Sequence, residues 1–206
     1  MSAKIGIIKR DEYNYLDTYI NVINILGGIP YVIENKPGVC KLVKQCDGIL
    51  FTGGTTWNTT DEDILEYCLD NDVPFLGICL GMQMIGDYFS NDHEYGVDKT
   101  VQINNKNHNV KKNYAHKVLL RDGLLSSLFG SNEIMVNSYH NCRVNYTDDS
   151  IIKGYSEDGV IEALEIPNHT FGVGVQWHPE KMIDYDENNR KLLKYFISVS
   201  KSRSKK

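Results

Sequence analysis

The chain has 206 residues, enough to bury roughly 70% of the surface it would expose when unfolded. Apolar residues make up 41% and charged residues 24%, which excludes intrinsic disorder, collagen-like repeats and coiled coil. Twenty-two basic against 27 acidic residues leave a net charge of −5, which speaks against nucleic acid or an anionic membrane as a partner, and five cysteines without a C-x-x-C pair suggest neither a disulfide framework nor a zinc site.

The apolar run at Ile5–Ile8 is too short for a secretory signal, and no stretch approaches 18 apolar residues, so a reducing cytoplasmic compartment is expected. Lys4 to Ile8 reads as a strand. Leu16, Ile20 and Ile23 recur at helical spacing, and Gly27-Gly28 closes that helix. Ile29 to Ile33 is the next strand, residues 37–46 a short helix, and Gly48 to Phe51 a buried strand. A capping-box-like pattern at Thr60-Asp61-Glu62-Asp63 starts a helix through Asp70. Pro74 to Ile78 is a fourth strand, followed by a helix from Leu80 to Tyr88. Beyond residue 90, short alternating runs are split by turn residues: Val101–Ile103, Lys117–Leu120, Glu133–Val136, Ile151–Gly154, Ile161–Ile166 and Phe171–Gln176. A last helix, Asp186 to Ser200, precedes a basic tail at 201–206 that is expected to fray. The pattern predicts one α/β domain over 1–200, a three-layer sandwich with a mostly parallel central sheet and a strand-rich second half.

The most informative stretch is Pro74-Phe75-Leu76-Gly77-Ile78-Cys79-Leu80-Gly81-Met82-Gln83, an apolar strand running into a glycine-flanked cysteine and then a helix. It has the form of a nucleophile elbow. Such a turn closes only if the residues two before and two after lack bulk, a demand that Gly77 and Gly81 meet. The helix N-terminus that follows favours an anion there. A bland reading, a buried packing cysteine, competes until a base is found. About 100 residues further on, Gln176-Trp177-His178-Pro179-Glu180 supplies one: Pro179 discourages helix, so His178 and Glu180 are expected in extended chain on one side. Glu180 could then orient the imidazole and complete a Cys/His/Glu triad. Thr52-Gly53-Gly54, closing a strand, offers backbone amides for an oxyanion hole, with the Leu80 amide as the second donor.

Gly77-Ile78-Cys79-Leu80-Gly81-Met82-Gln83, together with Gly174 to Glu180 and the Thr52-Gly53-Gly54 turn, closely resembles class I glutamine amidotransferase domains along the length of the chain. The resemblance implies Cys79 as nucleophile, His178 as general acid/base, Glu180 as its orienter, amides of Gly54 and Leu80 at the oxyanion, and Gly53 and Gln83 beside a bound γ-glutamyl group. It also implies that Val136-Asn137-Ser138-Tyr139-His140 grips the α-amino and α-carboxylate ends of that group, so Asn137, Ser138, Tyr139 and His140 are candidate substrate contacts. Thioester chemistry at Cys79 calls for no metal and no cofactor.

Within that family, Val136 to His140 looks like the free-standing γ-glutamyl-γ-aminobutyrate hydrolase branch. The chain departs from that branch at Asn141-Cys142 and at Thr55-Thr56-Trp57-Asn58, both near the leaving-group pocket. A basic cluster, Lys106, Lys111, Lys112, Lys117 and Arg121 with His108 and His116, either faces water or meets phosphate on a leaving group, as in γ-glutamyl-nucleotide amidates of capsular phosphoramidate synthesis. The expected partner is thus a small γ-glutamyl substrate. The alternatives are a glutaminase subunit serving a partner synthase, and a non-catalytic binding relative. Tyr13, Tyr15 and Tyr19 could form a partner surface, His93 and His169 are expected to be solvated, and Cys40, Cys46, Cys68 and Cys142 are read as packing residues.

Overall fold

The computed structural model describes residues 2–10, 15–36, 38–103 and 108–203, so Tyr13, Lys106 and the end of the basic tail lie outside the described residues. In chain order the first half runs β1 (Lys4–Lys9), α1 (Leu16–Ile25), β2 (Ile29–Glu34), α2 (Cys40–Val43), β3 (Gly48–Phe51), α3 (Thr59–Asp70), β4 (Phe75–Ile78) and α4 (Leu80–Tyr88). The second half runs β5 (Val101–Gln102), β6 (His116–Leu120), α5 (Leu124–Phe129), β7 (Glu133–Val136), β8 (Cys142–Arg143), β9 (Ile152–Ser156), β10 (Ile161–Glu165), β11 (Gly172–Val175) and α6 (Glu187–Arg203).

The nine-stranded sheet has the order β2-β1-β3-β4-β11-β10-β9-β6-β7, and β5 pairs with β8 in a separate ribbon. From β2 to β11 neighbours run parallel; from β11 to β7 they run antiparallel. The later strands therefore extend the sheet. Successive side chains of a strand point to opposite faces, and the sequence fills both with apolar residues. Ile5, Ile7, Leu50 and Ile78 join a core with Tyr19, Val22 and Ile23 of α1, Leu125 of α5 and Leu192 and Phe196 of α6. Ile8, Ile49, Phe51 and Phe75 join a second core with Val43 of α2, Ile64 and Leu65 of α3 and Leu80 and Ile85 of α4. Two cores, one on each face, are what a three-layer sandwich requires.

Two local expectations need correction, and one helix had no forerunner in the sequence pattern. The cap of α3 is Asn58, whose side chain accepts from the Thr60 amide at 2.9 Å while the Asn58 amide donates to Asp61 at 3.0 Å; the box begins two residues before Thr60. Helix α6 carries on through Lys201-Ser202-Arg203, so the basic end is helical as far as Arg203. Helix α5 has too few residues for a periodic signal, and its free N-terminal amides, of Leu124 and Leu125, donate to the Glu165 carboxylate at 2.9 and 2.7 Å. Among the described residues no helix is long and apolar enough to cross a membrane.

Candidate active site

Cys79 sits between β4 and α4 with φ 53° and ψ −105°, a backbone conformation that L-residues avoid. The flanking glycines make the turn possible. A Cβ on Gly77 would lie 2.8 Å from the backbone of Gly81, and one on Gly81 would lie 2.4 Å from the Phe51 carbonyl oxygen. The Cys79 amide donates to the Val175 carbonyl at 2.9 Å, which ties the elbow to β11, the strand that leads to the base.

His178 follows β11 and is buried, with Nδ1 2.7 Å from Glu180 Oε1. The expected extended chain is not what brings them together: Pro179–Lys181 form a 3-10 turn with His178 at its cap, and the tight turn folds Glu180 back under the imidazole. Nδ1 being committed to Glu180, Nε2 is left for the Cys79 sulfur, the two side chains lying next to each other over Gly53. Burial pulls the imidazole's pKa down, but the Glu180 carboxylate and the Cys79 sulfur outweigh it and push the value up to about 9.

The residues around this pair divide into those that hold the triad and those that face the cleft. Asn137, completely buried, donates from Nδ2 to the His178 carbonyl at 2.8 Å and accepts the His178 amide at 2.9 Å, so its side chain clamps the His178 backbone. Ser138 donates its hydroxyl to the His108 carbonyl at 2.7 Å and is likewise turned from the cleft. The Gly53 amide donates to the Tyr19 hydroxyl at 3.1 Å, which removes it as a substrate donor. Tyr19 is thus no partner surface: it is buried behind the triad, where desolvation and the Glu180 carboxylate raise its pKa well above the usual phenol value and keep it protonated.

The cleft itself, of about 310 Å³, is lined by Gly54, Thr55, Cys79, Gln83, Tyr139, His140, Asn141 and Cys142, with Asp98 and Thr100 from the segment leading into β5 and Gln102 from β5 itself. Gln83 donates from Nε2 to the Cys142 carbonyl at 2.7 Å and to Gln176 Oε1 at 3.0 Å. The edge of the Tyr139 ring meets the His178 ring at 5.7 Å between centroids. Asp98, Thr100 and Gln102 carry no motif, and the sequence gives no signal that would have placed them here. Lys111 and Lys112, exposed, are not among the lining residues; Lys117 pairs with Glu133 at 2.8 Å and Arg121 with Asp149 at 3.2 Å. The basic cluster thus disperses, and His108 and His116 leave it for a buried group with His140 and Glu162. A larger hollow of about 420 Å³, lined by Asn71, Asp72, Thr170 and the end of α6, holds no nucleophile.

No local pattern in the sequence announces the frame under the Thr52-Gly53-Gly54 turn. Arg10, nearly buried, binds Asp61 through both ends of its guanidinium, at 2.8 and 3.1 Å, and donates from Nε to the Thr52 carbonyl at 3.2 Å. Its side chain packs against Gly54, where a Cβ would lie 2.5 Å from Arg10 Cδ. His169 also differs from expectation: its ring is buried against Phe75 with Nε2 3.2 Å from the Cys68 carbonyl oxygen.

Comparison with known proteins places these features among relatives. The model of the family described as Peptidase C26 matches residues 56–180. A Schizosaccharomyces pombe protein named "putative glutamine amidotransferase" is 30% identical over 91% of this chain and 83% of its own length. The CTP synthase of Sulfurisphaera tokodaii is 31% identical over 72% of this chain, which spans about a third of that longer relative, 33% of its length. Among solved structures, the glutaminase domain of Trypanosoma brucei CTPS, with acivicin bound, superposes with a TM-score of 0.74 at 18% identity, covering 98% of this chain and 94% of that one. PurLQS of Thermotoga maritima superposes with a TM-score of 0.71 at 14% identity, covering 96% and 98%. At those identities the two structures establish the fold, a mixed α/β sandwich built on a large sheet.

Proposed function

The chain belongs to the peptidase C26 family of glutamine amidotransferase-like proteins, and on that premise we propose that it hydrolyses a γ-glutamyl amide through a thioester on Cys79. The observation that carries this reading is the constellation of a strained elbow cysteine, a buried histidine beside it, and a carboxylate 2.7 Å from that ring's Nδ1. Cys79 Sγ attacks the δ-carbonyl carbon while its proton resides on His178. The oxyanion that forms is met by the amides of Leu80 and Gly54, the second held in place by Arg10. His178 gives its proton to the departing nitrogen, the C–N bond breaks, and the amine leaves. Water, deprotonated by the same imidazole, then attacks the thioester, releasing glutamate and restoring the thiol. At the other end of the substrate, Asp98 is the one carboxylate among the described lining residues and suits an α-ammonium. Tyr139 and Thr100 offer hydroxyls to the α-carboxylate.

A second reading, a glutaminase that passes ammonia to a separate synthase, is favoured by the similarity to CTP synthases. The phosphorus-linked leaving group loses its support, since no Lys or Arg is found among the described lining residues. Glutamate release from glutamine, a γ-glutamylamino acid and a γ-glutamyl phosphoramidate separates the three. Turnover of the γ-glutamylamino acid well above glutamine is the expected result; turnover of glutamine alone, rising on addition of a synthase, would establish the second reading in its place. Cys79→Ala should release no glutamate from any of them.

A further inference from the structure

His108, His116 at the start of β6, His140 ahead of β8 and Glu162 on β10 converge behind the cleft, and the donor atoms of all four lie within 4.8 Å of one another. We propose that these four residues hold one structural zinc ion, a site separate from the Cys79 triad.

The spacing is that of a coordination shell. Glu162 Oε1 lies 3.5 Å from His108 Nδ1, 3.5 Å from His116 Nε2 and 3.6 Å from His140 Nε2, and His108 Nδ1 lies 3.3 Å from His140 Nε2. These separations are long for hydrogen bonds, whereas a tetrahedron with metal–ligand bonds of about 2.0–2.2 Å has edges of about 3.3–3.6 Å. The second nitrogen of every ring is already committed outward. His108 Nε2 donates to the Asp158 carboxylate at 3.0 Å, His140 Nδ1 to the Cys142 carbonyl at 2.9 Å, and His116 Nδ1 to the Lys117 carbonyl at 3.3 Å. Each outer partner fixes the tautomer whose lone pair points inward, the arrangement by which metal-binding histidines are oriented. Three inward lone pairs and a carboxylate would repel one another in a site where Glu162 is wholly buried and neither of its oxygens, nor His116 Nε2, has a hydrogen-bond partner. A dication removes that conflict. Three imidazoles and one carboxylate, four-coordinate and largely buried, suit zinc in a structural role, the fourth position being filled by protein.

The ion would pin the segment after residue 107 and the stretch 137–140 to β10. That stretch includes Asn137, which clamps His178, and His140, which lines the cleft. The ion therefore stiffens the site without touching the scissile bond.

The test is metal analysis of the whole chain after incubation with Zn²⁺ and desalting. Wild type and Cys79→Ala should each retain about one zinc per chain. His116→Ala and Glu162→Gln should retain less than about a tenth of that. A strong chelator should lower the melting temperature of wild type by several degrees, Zn²⁺ but not Mg²⁺ restoring it, and leave Glu162→Gln unmoved. Cobalt(II) in place of zinc should give the visible bands of a four-coordinate ion, unchanged in Cys79→Ala; this readout stands even if a histidine variant fails to fold. Wild type without stoichiometric metal, and with a melting temperature indifferent to chelator and Zn²⁺, would mean a hydrogen-bonded histidine cluster and overturn the proposal. Zinc lost from Cys79→Ala but kept by His116→Ala would place the ion on the catalytic pair and overturn it equally.

Discussion

Holding Cys79 at a positive φ costs on the order of 1–3 kcal/mol, a strain tolerated because the elbow aims the sulfur at His178. Cys79→Gly removes the strain and Cys79→Ala keeps it, so the glycine variant should be at least as stable as the alanine variant in urea unfolding, though both should lack activity; an alanine variant clearly more stable would mean an unstrained turn. His178 carries a second consequence. Its pKa is raised above the ordinary histidine value, to about 9, so at neutral pH the ring holds the proton that the leaving nitrogen needs. As pH rises through about 9 that proton is lost, and kcat/KM should fall along a limb centred there; replacing Glu180 with Gln should move the limb to lower pH, because the carboxylate is a main reason it lies so high. Asn137 acts at one remove, through the His178 backbone. Asn137→Ala should lower kcat by about 10- to 100-fold with KM little changed, whereas a substrate contact would show mainly in KM. That Cys79, His178 and Glu180 come together was legible in the sequence because an elbow and a His-x-Glu each have a local pattern. Asn137, Tyr19 and Asp98 were not, or were given other roles, because what they do depends on which atom the fold puts opposite them.

At the scale of elements, the Thr52-Gly53-Gly54 turn after β3 is held by a contact made across 51 residues, the Arg10–Asp61 pair at the N-terminus of α3. Both side chains are nearly inaccessible, so cutting the pair on one side leaves a buried charge without its partner and costs about 3–5 kcal/mol. Arg10→Met should therefore lower stability by about that amount in urea unfolding, and should also reduce turnover, since the turn bearing the Gly54 amide loses its support; loss of stability with unimpaired turnover in the folded fraction would show that the turn holds its shape alone. The strands and the longer helices α1 and α3 of the first half could be read from periodicity because the strands are apolar on both faces and those helices on one. Helix α5 could not: six residues give no period, and what stabilises its N-terminus is Glu165, far along the chain. The cap of α3 shows the same limit, since Asn58 and Thr60 are both good capping residues and only the backbone decides between them.

For the whole molecule, the sheet divides the labour. Its parallel half gives strand ends that open onto one edge, where β4 delivers Cys79, β3 delivers Gly53-Gly54 and, through the neighbouring β11, His178 arrives beside them. Its antiparallel half carries Glu162 on β10 and the cluster of imidazoles that backs the cleft. That second half was legible as a series of strands, but not in its order, because antiparallel runs of equal length can pair in several registers and the sequence alone does not rank them. The central claim is that glutamate leaves by way of Cys79. Intact-mass analysis of enzyme quenched in acid during turnover of a γ-glutamyl amide should show a fraction of the chain heavier by one γ-glutamyl group, the added mass mapping to the peptide that contains Cys79 and vanishing in Cys79→Ala. Continued release of glutamate with no such adduct, or by the alanine variant, would contradict the account.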